Sequence, residues 1–112
     1  MLPQTVTISQ GRLDPNGGGF LNEKSQHIAD QNEITDLFAI LNDPDSFGGD
    51  GKRCFKPGMH IEYVLDGRDT KHQVCLECHW LTTAIDGKAD PNKALSDKGK
   101  SRFSAIFQRL FG

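Results

Sequence analysis

Apolar residues along this chain fall into two kinds of spacing. From Ile34 they recur at Leu37, Phe38 and Leu41, and from Phe103 at Ile106, Phe107 and Leu110. Both sets follow i, i+3, i+4, i+7, which puts one apolar stripe on an α-helix. The first helix is expected over "DQNEITDLFAIL". Asp30 can accept from its free amides, with Glu33 in capping-box position. Asn42-Asp43-Pro44 stops it, because proline disfavours helix in its predecessor. The second lies in "SDKGKSRFSAIFQRLFG", with Ser96 as cap and Asp97 suited to the positive helix end. Gly99 costs on the order of 1 kcal/mol relative to alanine, which predicts a frayed first turn.

Elsewhere the spacing is two. "QTVTISQG" alternates and reads as a short strand, followed by the turn residues Asp14-Pro15-Asn16-Gly17. A short extended segment is expected around Gln26 to Ala29. "MHIEYVL" places Met59, Ile61, Tyr63 and Leu65 on one face. Asp66-Gly67 is a tight-turn pair, and "HQVCLECHWLTTAI" then alternates Val74, Leu76, Cys78 and Trp80. Together they predict one long hairpin over Met59 to Ile85. "DPDSFGGDGKR" and "DGKADPNKAL" read as polar connections.

One-sided helices and a hairpin with one apolar face need each other. The expected fold is α+β: a small antiparallel sheet containing the long hairpin, packed by two amphipathic helices. The 112 residues suit a single compact domain over 1–112. A net charge of −2 gives no bulk attraction to nucleic acid or an anionic membrane. The N-terminus lacks a basic start and an apolar run of leader length, so a cytoplasmic location is expected.

The candidate chemistry lies in three cysteines, Cys54, Cys75 and Cys78, with His79 directly behind the last. An extended "VCLEC" would send Cys75 and Cys78 to opposite faces, Cys78 with the core and Cys75 beside Glu77 and His79. A zinc knuckle needs a turn that makes the two thiolates converge, and Leu76-Glu77 offers no glycine, proline or asparagine. A redox C-x-x-C would open a helix, which this β-favouring segment does not. Three states stay open. The cysteines can be inert thiols with Cys78 in the core. They can hold zinc through Cys54, Cys75, Cys78 and His79 or His60. Or Cys54 can form a disulfide with Cys75 or Cys78, which requires an oxidising compartment.

The residues Cys54, Phe55, Pro57, Cys75, Glu77 and Cys78 match a C-F-x-P … C-[FL]-E-C pattern. On that pattern the C-terminal half resembles a group of small uncharacterised bacterial proteins. "LSDKGKSRFSAIFQRL" is similar to their closing helix. The departure is at His60, one place later than in the pattern, with Met59 in its position. The resemblance implies the hairpin-plus-helix layout and cysteines that travel as a set. It implies no activity.

Other motifs fail. A calcium loop would need an oxygen ligand at Phe47 and Glu at Cys54, and a phosphate loop would need glycine at Ser46 and Ser or Thr at Arg53. Cys75 and His79 are about 13 Å apart along an extended strand, leaving only Cys54 and His79 as a nucleophile–base pair. Lys98, Arg102 and Arg109 form a basic strip on the last helix, and Asp43, Asp45 and Asp50 an acidic loop. Both suit a protein partner of opposite charge. The expectation is a non-enzymatic protein-binding module, of the inhibitor or immunity type found in bacterial and phage conflict systems. The alternative is a zinc-stabilised interaction module using the cysteine set.

Overall fold

The computed structural model describes residues 2–52 and 56–112. Its strands are β1 (Val6–Leu13), β2 (Phe20–Ile28), β3 (Met59–Leu65), β4 (Arg68–Cys75), β5 (Trp80–Ile85), β6 (Lys88–Ala89) and β7 (Lys93–Ala94). Two helices, α1 (Gln31–Leu41) and α2 (Asp97–Phe111), complete an α+β fold. The described strands form one antiparallel sheet in the order β2-β1-β3-β4-β5-β6, with β7 pairing β5.

Register decides what each face carries. Ile8 pairs with Ile61, Ile61 with His72, and His72 with Thr83. Side chains alternate, so Val6, Ile8, Met59, Ile61, Tyr63, Val74 and Leu81 share one face. All are buried, and they pack with Ile34, Leu37, Phe38, Phe103 and Ile106 from the helices. Each such side chain contributes roughly 1.5–3 kcal/mol on burial. The helix stripes follow those read from the sequence, except that Ile40 is buried and that Leu41, Phe107 and Leu110 are only half-buried.

The local signals mostly act as their chemistry requires. The Asp30 carboxylate accepts from the Asn32 and Glu33 amides, at 2.8 and 3.1 Å. Ser96 Oγ accepts from the Gly99 amide. Asp66 and Gly67 have φ of 53° and 76°, as a two-residue type I′ hairpin turn demands. The Asp14 carboxylate accepts from the Asn16 amide and so tightens the loop between β1 and β2.

Several expectations are corrected. The extended segment near Gln26 is nine residues long, because β1 supplies a partner along all of β2. Pro44–Ser46 is a short 3-10 turn capped by Asp43, within the stretch read as loop. Asp86-Gly87 makes a second tight turn, with φ of 50° and 81°, and returns β6 onto β5. Gly99 does not mark a frayed turn. It is buried, and a Cβ there would overlap the Ser46 carbonyl oxygen.

The largest correction concerns the hairpin. Its second arm is not continuous to Ile85: residues 76–79 turn, and Cys75 pairs with Trp80 across that turn. His79 adopts φ 58° and supplies the left-handed residue that Leu76-Glu77 lacks. The result is a meander of β3, β4 and β5. The turn also resets the alternation, so Leu81 faces the core where Trp80 was expected to. Trp80 instead lies against Gly51 and donates from Nε1 to the Lys52 carbonyl at 2.6 Å.

Candidate functional site

The turn at 76–79 gathers the described cysteines instead of separating them. Cys75 and Cys78 are both fully buried. The Cys78 amide donates to Cys75 Sγ at 3.3 Å, and the Lys56 amide donates to the same sulfur at 3.4 Å. Cys75 does lie on the opposite face from Val74, as alternation requires, but chain near Lys56 covers it. Cys75 is a free thiol, whereas Cys78 is disulfide-bonded. Cys54 lies outside the described residues, and with it the expected zinc set and the Cys54–His79 pair. Among the described residues no three His, Cys, Asp or Glu side chains gather as a metal site. His79 is half-buried, and its carbonyl accepts from the Leu95 amide at 2.8 Å.

The acidic loop and basic strip meet each other. Asp43 Oδ2 sits 2.8 Å from Arg102 Nη1 and 3.1 Å from Lys98 Nζ. Lys98 also reaches Asp45 at 3.9 Å, and Arg109 lies 3.8 Å from Glu33. Asp50 is exposed and apart from them. The Asp45 amide and the Lys98 ammonium hold the Asp43 carboxyl below its ordinary pKa. This cluster fastens the 3-10 turn to α2, and Arg102 also donates to Ser46 Oγ.

Among the described residues no helix covers the sheet's other face. Thr7, Ser9, Ser25, His27, His60, Glu62, Lys71, Gln73 and Thr82 share it by register. Ser9 and Ser25 hydroxyls lie 2.8 Å apart, and Thr7 Oγ1 is 2.9 Å from His27 Nδ1. Val64 stands out at 60 % exposure. A register shift at Gln10/Gly11 lets the distal ribbon of β1 and β2 change direction. There the Phe20 ring meets the His60 ring edge-on, 5.3 Å between centroids. A Cβ at Gly11 would crowd that ring.

His60 is the odd member of this face. Its Nε2 is buried with no hydrogen-bond partner among the described residues. Burial lowers its pKa from the ordinary histidine value. The ring forms part of a hollow of about 350 Å³, with Phe20, Lys71, Gln73, Thr82 and Asn92 around it.

A second hollow, of about 410 Å³, opens on the core face near the Asp66-Gly67 turn. Tyr63, His72 and Thr83 line it as one chain: Tyr63 Oη is 2.8 Å from His72 Nε2, and His72 Nδ1 is 2.9 Å from Thr83 Oγ1. Burial drives His72 down to about 4, and Tyr63 is pushed up to about 12. No motif in the sequence marks His72. Its signal was parity: it shares the alternation of Val74, so a histidine stood at a core-facing position.

No family model matches the chain, and no curated protein or solved structure does either.

Proposed function

We propose that this chain is a small non-enzymatic protein-binding module whose partner docks on the uncovered outer face of the sheet. The observation that carries the reading is His60 Nε2, removed from water yet unpaired. Such an atom costs about 1–3 kcal/mol. A partner that displaces what covers Nε2 and offers it a polar group would recover that cost. Phe20 stands against His60 as an aromatic anchor, and the same face carries a rim of hydroxyls and amides and, four residues further along β3, the exposed Val64. An inhibitor or immunity-type protein, which works by covering a partner's surface, is the concrete form of the proposal. Asp43, Lys98 and Arg102 already spend their charge on one another, so the docking role falls first to the outer face.

No helix among the described residues is long and apolar enough to cross a membrane. The Cys78 disulfide favours an oxidising setting over the cytoplasmic one expected from the sequence. Thiol titration separates the two.

The docking test is site-specific photo-crosslinking in the native host. A photoreactive residue at Val64 should give one stoichiometric adduct, and the same residue at Asp36 on α1 should give none. Equal capture from both positions, or none from Val64, contradicts the proposal.

A second reading has one observation behind it. A turn does stand at 76–79, with two amides donating to Cys75 Sγ, and the want of a turn there is what the sequence holds against zinc. Cys54, Cys75, Cys78 and His79 would then be the donors in a reduced protein. Elemental analysis of protein purified under reducing conditions, without added metal, tests it. Near-stoichiometric zinc supports it, and none removes it.

A further inference from the structure

The hollow near the Asp66-Gly67 turn sits where the core face changes character. Towards the other end of the strands that face is apolar, with Met59, Ile61, Val74 and Leu81. Here it becomes Tyr63, His72 and Thr83, and the first two remain buried at 8 % and 7 % exposure. Buried polar groups are costly unless paired, and these are paired in a row.

Counting protons along that row shows what is missing. Neutral His72 carries one N–H and one bare nitrogen. Tyr63 and Thr83 each carry one O–H. Three donors therefore serve two side-chain contacts, with the Thr82 backbone also within reach of the ring. If Nε2 carries the proton it donates to Tyr63, Thr83 donates to Nδ1, and the Tyr63 O–H is left over. If Nδ1 carries it, Tyr63 donates to Nε2 and the Thr83 O–H is left over. Either tautomer leaves one hydroxyl proton with no acceptor among the described residues. Both hydroxyl-bearing side chains line the hollow.

The rest of the wall narrows the occupant. Leu65 and Ile85 are half-buried and give it an apolar lining. Arg68 stands beside them, exposed and in no ion pair among the described residues. Asp66 also lines the hollow and opposes any anion, a dianion about twice as strongly as a monoanion.

We infer that this hollow is a binding site for a small apolar monocarboxylate. Its carboxylate accepts the leftover hydroxyl proton and faces Arg68, and its hydrocarbon body lies on Leu65 and Ile85. The site is on the opposite side of the sheet from the proposed docking face, and the inference does not depend on that reading.

Benzoate and 4-methylpentanoate are the probes, titrated at neutral pH into isotopically labelled full-length protein and followed by amide and methyl shifts. Saturable shifts confined to Arg68, Thr70, Thr83 and Ile85 are expected, with benzamide binding more weakly than benzoate. Arg68→Ala changes an exposed side chain and should abolish the preference for benzoate over benzamide. Tyr63→Phe combined with Thr83→Val removes both hydroxyls and should weaken benzoate about fivefold. Absence of saturable shifts at these residues with either acid overturns the inference. So does a benzoate preference that survives Arg68→Ala.

Discussion

Gly99 of α2 packs onto the backbone of Ser46, so closely that no side chain fits between them. Ser96 locks the contact, its amide donating to the Ser46 carbonyl at 3.0 Å. Helix propensity alone says that Gly99→Ala should stabilise α2 by about 1 kcal/mol. The packing reverses that sign. Chemical denaturation should show Gly99→Ala less stable than the parent by about 1–3 kcal/mol. A stabilised variant would mean that the 3-10 turn does not sit on α2 as described.

Asp43 joins the same turn to the helix through Arg102 and Lys98. A double-mutant cycle on Asp43→Asn and Arg102→Gln should give a favourable coupling that shrinks in high salt. Its pKa is lowered, so this contribution is present above the ordinary value of 3.8 and is lost as the pH falls through the lowered one. Zero coupling at low salt would show that the pair contributes nothing.

His72 makes stability depend on pH in a defined window. Burial lowers its pKa from 6.5 to about 4. Between those values the unfolded chain takes up a proton that the folded protein refuses. Stability is therefore full above about pH 6.5, declines as the pH falls towards 4, and then levels. The shift corresponds to about 3 kcal/mol. His60 adds a contribution of the same sign. His72→Gln should be less stable at neutral pH and flatter across the window. Urea unfolding at several pH values would contradict this if the variant kept the parent's slope.

The three cysteines give a count. Native protein should not react with a thiol reagent at Cys75, which is fully buried. Denatured without reductant it should take up one alkyl group, and three after reduction. Intact mass reads both numbers. Three adducts without reductant would contradict the disulfide, and three with co-purifying zinc would favour the metal reading.

How far these features were legible follows from how local their causes are. The helices, the caps at Asp30 and Ser96, and the Asp66-Gly67 turn rest on neighbours within a few positions, and the sequence displays them. The turn after Cys75 was hidden because a histidine took the left-handed position, where glycine or asparagine is the readable signal. The alternation Val74, Leu76, Cys78, Trp80 then imitated an unbroken strand. Gly99 looks like a weakness in the sequence because Ser46, whose backbone needs the missing side chain, is far away along the chain. The charge cluster was seen as two patches for the same reason. His60 and His72 look alike in the sequence, and only register places one on the open face and the other in the core.

The docking proposal rests on the unpaired His60 nitrogen, and His60→Phe tests it most directly. The substitution keeps a ring against Phe20 and removes the stranded polar atom. The free variant should unfold about 1 kcal/mol harder than the parent in urea. In the host, the Val64 photo-adduct should disappear. A variant that is no more stable than the parent and still forms the adduct would contradict the account.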